Sequence, residues 1–214
     1  VLSGADDGDV GLRAGAPAEL LAVRRSSLVP GRWRWLSQCH GNGVVVLGPT
    51  ETCEGREADA LVSTMPGEPL AVFSADCAVV GLASPQGVVA AVHAGWRGLL
   101  AGVVESAVTA MGSLGATDIA AVLGACIGPE CYEFGAGELA GIESRYGPTV
   151  VAQSASGHLA LDLRAGVHRA LGSAGVRVAS ECESCTACEP GWFSWRARKD
   201  MGRQALVVAP APAP

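Results

Sequence analysis

Between residues 44 and 92 the apolar residues come in short runs separated by turn signals. The runs cover 44–47, 61–62, 70–73, 79–82 and 88–92. Runs this short, bounded by Gly, Pro and Asn, predict strands rather than helices. Gly41-Asn42-Gly43 marks a turn before the first run, and Pro85-Gln86-Gly87 marks one between the last two. Residues 33–38 alternate bulky and polar side chains and also read as a strand. At Leu99 the period changes. Leu99, Leu100, Val103, Val104, Ala107, Val108 and Met111 fall on one face of an α-helix, predicting a single helix over 99–111.

Further helices are expected at 17–25, where Pro17 takes the first position, and at 138–146 and 162–171. Strands are expected at 119–123, 176–178 and 205–208. Residues 1–15 read as loop or a frayed strand, and 50–57 as loop. The Pro-Ala tail at 209–214 reads as disordered. No internal repeat or linker breaks the chain. The pattern is mixed α/β in one domain over residues 1–208, with helices packed on many strands.

Composition narrows the function classes. The 214 residues are 49% hydrophobic, enough for one sizeable core. A formal net charge of -6 lacks the basic footprint of a nucleic-acid binder. No apolar run is long enough to span a bilayer, and the acidic start does not resemble a signal peptide. Eight cysteines without an export signal read as reduced thiols, some of them ligands, in a cytoplasmic protein.

The chemistry concentrates where the strand pattern is strongest. "ADCAVVGLASPQGVVAAVHAGWRG" opens with Asp76-Cys77 and closes with His93 and Arg97. If the two runs form a hairpin, Cys77 and His93 meet at one sheet edge. His40, in QCHGNGV, sits in a stiff loop and is the best third donor. His40, Cys77 and His93 would give three protein ligands, the number that leaves a catalytic metal one open position. The plainer reading is that Cys77 is a small buried hydrophobe and each His a hydrogen-bonded residue. The helix start near Gly98, with Arg97 beside it, reads either as an anion pocket or as a capped carboxylate. GACIGPECYEFG is a tight loop marked by its glycines, Pro129 and the thiols Cys126 and Cys131; Tyr132 and Glu133 either contact substrate or belong to a structural turn with buried thiols. Cys182, Cys185 and Cys188 lack the further Cys of a ferredoxin pattern, and a second zinc on these thiols has weak support. Arg196, Arg198, Lys199 and Arg203 could reach an anionic substrate group.

These motifs resemble the YfiH-like family, also labelled multicopper polyphenol oxidoreductases or laccase-domain proteins. The likeness is carried by QCHG, EADALVS, SADC, VHAGWRG, GACIGPECYEFG and CTAC with WFSWRARKDMGRQA. The resemblance implies an αββα sandwich and zinc held by His40, Cys77 and His93. It also implies catalysis by these three residues and substrate contacts from Arg97, Cys126, Tyr132 and Arg198. The implied substrates are a purine nucleoside and phosphate: phosphorolysis of adenosine, inosine or methylthioadenosine, or deamination of adenosine. The copper of the older name is disfavoured, because four histidines cannot build a trinuclear copper group beside a blue-copper site.

The chain departs from the family where a first strand usually carries F-T-x-R, with Ala5 standing in the place of that Arg. Ala125 replaces the proline of G-P-C-I-G, and the second Arg of S-x-R-R-D is displaced to Arg198. Two alternatives follow. One is a hydrolase editing cell-wall precursors, with Cys77 as nucleophile and His93 as base. The other is a degenerate, non-catalytic relative. For deamination the proton carrier would be Asp76 or Glu133. The oligomeric state is not readable from the chain.

Overall fold

A computed structural model describes residues 1–11, 15–48 and 51–210. The elements run in chain order as α1 (Ala18–Leu28), β1 (Val44–Leu47), β2 (Ala60–Ser63), β3 (Leu70–Ser74), β4 (Ala78–Ala83) and β5 (Val89–Ala94). Next come α2 (Trp96–Ala101), α3 (Val103–Ser113), β6 (Ala120–Leu123), α4 (Ala136–Tyr146), β7 (Val151–Gln153) and β8 (Leu159–Leu161). The last are α5 (Leu163–Ser173), β9 (Arg177–Glu181), α6 (Trp195–Arg198) and β10 (Gln204–Val208).

A six-stranded mixed sheet has the order β1-β2-β5-β4-β6-β9. β3 pairs antiparallel with β10 in a second, two-stranded sheet, and β7 with β8 in a third. Strand alternation explains the layering. On β5, Ala90 and Val92 face a core shared with Leu99, Val103, Met111 and Leu171, on the helix side. Their neighbours Val89 and Ala91 face a second core with Leu70, Val72 and Leu206, between the two sheets. On the far side of the small sheet, Ala71, Phe73, Ala205 and Val207 meet Val10 and Trp33, with Leu28 of α1 packed alongside. Successive side chains of a strand point to opposite faces, so strands buried on both sides must be apolar throughout. That is why these runs are unbroken. Each fully buried Leu or Val side chain there contributes about 1.5–3 kcal/mol.

Four expectations need correction. The helix over 99–111 is two helices, broken at Gly102, which takes φ 88° and caps α2 with its amide. Residues 33–38 form isolated bridges at Arg34 and Ser37 rather than a strand. The hairpin β7–β8 was not expected, because each of its strands is only three residues long. Within the segment read as loop at 1–15, Ala5–Asp7 makes a short 3-10 turn, and residues 12–14 lie outside the described residues. So do residues 211–214 of the Pro-Ala tail and Thr50. Among the described residues, no helix is long and apolar enough to cross a membrane.

Candidate metal centre and its cavity

β4 and β5 form the expected hairpin, with Val79 opposite His93 and Ala78 opposite Ala94. Cys77, one residue before β4, and His93, near the end of β5, therefore meet at one sheet edge. His40 arrives from the loop before β1. One ligand atom from each of His40, Cys77 and His93 lies within 4.8 Å of the other two. His40 Nε2 is 3.8 Å from Cys77 Sγ, and the two imidazoles meet edge to face with centroids 4.9 Å apart.

The group that organises these side chains was not anticipated. Asp59, fully buried before β2, accepts from the amides of His40 (3.0 Å) and Gly41 (2.7 Å) and more loosely from that of Cys39 (3.3 Å). This fixes His40 at φ 62°, a left-handed conformation uncommon for a residue with a side chain. The same carboxylate lies 2.8 Å from His93 Nδ1. Burial alone would raise the Asp59 pKa, but the hydrogen bond and charge of His93, the Gly41 amide and the Cys39 thiol together outweigh it and hold the group at about 2. An ionised Asp59 makes His93 Nδ1 the donor and leaves Nε2 for a ligand, the arrangement that orients metal-binding histidines. Its signal in the sequence was an acid standing alone between Ala58 and Ala60, ahead of an apolar run.

Burial likewise opposes ionisation of Cys77, yet His93 and His40 pull the thiol down to about 6, and His93 is pushed up to about 9. The site thus favours a thiolate. Gly95 lies so close that a Cβ there would stand 2.8 Å from His40 Cδ2 and 3.0 Å from Cys77 Sγ. Two imidazoles and a thiolate, one imidazole oriented by a buried carboxylate, fit a divalent transition-metal ion with a position left open. The other two histidines lie elsewhere. His158 pairs with Glu133 at 3.1 Å and His168 with Glu181 at 2.7 Å. No further imidazole therefore remains for a trinuclear copper group.

The three ligands line a cavity of about 600 Å³. Trp35 and Phe73 give it an aromatic wall; Arg97, Arg196 and Arg203 bring positive charge. Arg97 stacks on Trp96 (4.5 Å), and Arg196 lies over the ring of Tyr132 (5.0 Å). Tyr132, buried at the cavity wall, has its hydroxyl pushed well above the usual tyrosine range, first by burial and then by Cys77. It stays protonated.

Several expected site residues are placed differently. Gly98 does not open a helix; it lies in the first turn of the six-residue α2, against the carbonyl of Gly41. Arg198 does not line the cavity. Its guanidinium bonds the carbonyls of Thr186 (3.1 Å) and Ala187 (3.0 Å) and pairs with Asp200 at 3.0 Å. Cys126 is buried outside the lining, and burial pushes its thiol up to about 12. Asp76 does line the cavity, at φ 102°, but both its oxygens are engaged, by Thr186 Oγ1 (2.8 Å) and the Arg196 amide (2.6 Å). Glu133 lies outside, held on the surface by Ser154 and His158. Ala5 is not among the lining residues, and its amide bonds the carbonyl of Gly191.

Comparison with known proteins agrees with this architecture. Residues 16–211 match the family model described as multi-copper polyphenol oxidoreductase laccase. A purine nucleoside phosphorylase of Streptomyces coelicolor is 39% identical over 195 residues, covering 88% of this chain and 79% of that protein. The Escherichia coli purine nucleoside phosphorylase YfiH is 36% identical, covering 84% and 74%. Among solved structures, YlmD of Geobacillus stearothermophilus superposes with a TM-score of 0.82 at 25% identity, covering 95% of this chain and 84% of its own. A Neisseria meningitidis protein gives 0.81 at 28% identity, covering 95% and 86%.

Proposed function

Since the chain belongs to the laccase-domain family of multi-copper polyphenol oxidoreductase type, we propose that it is a zinc-dependent purine nucleoside phosphorylase. It would split adenosine, inosine or methylthioadenosine into base and ribose 1-phosphate. The observation that carries this reading is the cavity itself: Arg97, Arg196 and Arg203 line the same cavity as His40, Cys77 and His93. A phosphate needs positive charge and a purine needs a flat apolar wall; Trp35 and Phe73 supply the second. The relatives named purine nucleoside phosphorylase support an enzyme of this type.

In phosphorolysis a phosphate oxygen bonds to C1′ as the C1′–N bond breaks, and the electron pair leaves with the purine. Arg97 and Arg196 would gather and orient the phosphate, which lowers the entropic cost of a two-substrate encounter. Tyr132, kept protonated, would donate a hydrogen bond to an oxygen of the ribose or phosphate. The aromatic wall would exclude water, favouring phosphate over hydrolysis. Zinc, when bound, supplies a Lewis acid beside the reacting groups. Deamination needs a carboxylate to carry protons, and Asp76, the cavity's one carboxylate among the described residues, has both oxygens engaged. Phosphorolysis is therefore the better fit.

The test is chromatography of adenosine and inosine incubated with metal-loaded protein, with and without phosphate. Free base and ribose 1-phosphate appearing only with phosphate is the expected result. Inosine formed from adenosine in both samples, or no turnover by folded protein, would overturn the reading. A cysteine hydrolase is favoured by one observation: Cys77, His93 and Asp59 also have the order of a nucleophile, base and orienting acid. Hydrolysis surviving complete metal removal would select it.

A further inference from the structure

A second donor cluster stands apart from the first. One ligand atom from each of Glu130, Cys131, Cys185 and Cys188 lies within 4.8 Å of the other three. The sequence brings them from two tight turns. Gly128-Pro129-Glu130-Cys131 forms a 3-10 turn closed by the Cys131 amide on the Gly128 carbonyl (3.1 Å). Cys185-Thr-Ala-Cys188 lies in an α-turn, closed by the Glu189 amide on the Cys185 carbonyl (3.1 Å). A parallel bridge between Cys126 and Cys185 holds the turns together.

The sulfurs lie close together, and one has an amide donor. Cys185 Sγ accepts from the Gly128 amide at 3.1 Å. Cys131 and Cys188 Sγ are 3.3 Å apart, and Cys188 Sγ is 3.4 Å from Glu130 Oε1. The Glu130 carboxylate folds back over Gly128, where a Cβ would come within 2.3 Å of it. Glycine at 128 thus makes room for an inward-turned acid. Cys185 is buried, Cys131 partly so, and Cys188 exposed, so an ion could enter from one side.

We propose that Cys131, Cys185, Cys188 and Glu130 form a second, structural zinc site. Three thiolates and a carboxylate complete a four-ligand set, closed where the first centre is open. Thiolate donors select zinc over the oxygen-preferring divalent ions. Cys182 is not part of it, so the thiols are shared between two turns rather than drawn from one run. The ion would join segments 57 positions apart (Cys131 to Cys188) and fix the Thr186 turn whose hydroxyl holds Asp76 beside Cys77. Its position is that of a buttress for the cavity wall, independent of the reaction performed there.

Zinc content of protein purified under reducing conditions and desalted from zinc buffer tests this. Two zinc ions per wild-type chain are expected, one in His93→Ala, and one in Cys188→Ser. Since a cysteine variant could fail to fold, cobalt(II) added to metal-free His93→Ala provides the second arm. That chain keeps all three cluster thiols, and thiolate-to-cobalt charge transfer should appear in the near ultraviolet. It should be lost when Cys131→Ser is added. Wild-type zinc content left unchanged by Cys188→Ser in folded protein, or folded His93→Ala without the cobalt–thiolate signature, would refute the site. So would a Cys131–Cys188 disulfide persisting in the reduced, zinc-treated chain. Failure of phosphorolysis alone would leave these readouts unchanged.

Discussion

Asp59 holds His93 twice. Its carboxylate takes the Nδ1 hydrogen at 2.8 Å, and its backbone carbonyl takes the His93 amide at the same distance. One buried residue therefore sets both the strand position and the ring orientation of a ligand. The same carboxylate gathers the loop carrying His40.

Asp59→Asn keeps the shape but offers a poorer acceptor and two hydrogens that face the amides of residues 39–41. Metal affinity should fall about 10- to 100-fold, measured by competition with a chromogenic chelator. Asp59→Ala leaves buried donors unpaired and should cost about 3 kcal/mol or more, visible in denaturant titration of the metal-free protein. Unchanged affinity in Asp59→Asn would remove Asp59 from its orienting role.

Gly95→Ala should empty the first centre while preserving the fold. The added methyl meets His40 and Cys77 at 2.8 and 3.0 Å, and those side chains cannot retreat without parting. Circular dichroism should stay native while bound metal drops. Full metal content would mean that the ligands are more adaptable than their packing suggests.

Arg196 and Arg198, two positions apart, should behave differently. Arg196→Ala removes a cation from the cavity and should raise the KM for phosphate about ten- to a hundredfold, the loss of one charge-assisted contact of about 1.5–3 kcal/mol. Arg198→Ala cuts the guanidinium from the Thr186 and Ala187 carbonyls and should lower Tm first. Steady-state kinetics and a thermal melt separate the two, and equal effects on KM would contradict the assignment.

Cys77 should react with iodoacetamide only after metal removal. Metal-loaded protein would be alkylated first at exposed Cys39, and peptide mapping distinguishes the sites. Alkylation of Cys77 in the loaded protein, at the rate seen after chelation, would exclude it as a ligand.

Much of this arrangement was legible in the chain because strand period is local. Unbroken apolar runs marked β3, β4 and β5, and the turn at Gln86 sufficed to bring Cys77 to His93. The break at Gly102 was hidden because apolar residues keep their helical spacing across it. Asp59 was hidden because its role depends on partners from two other segments. The choice between Arg196 and Arg198 could not be read from spacing, since a four-residue helix turns one toward the cavity and the other toward a carbonyl clamp. Cys185 and Cys188 were visible as a pair, but their partners lie on the turn at Gly128 and no local pattern joins the two.

The pairing of β3 with β10 places Ser74 against Gln204. The ligands His40, Cys77 and His93 all precede the segment carrying Arg196 and Arg203 by more than a hundred residues of synthesis, and β3 likewise waits more than a hundred for its strand partner. Long-range pairing of this kind slows folding. A nascent chain would therefore own a metal-binding thiol and two imidazoles well before it owns the wall that covers them. During that interval the ion, or whatever shields Cys77 in its place, would guard the half-built protein against oxidation.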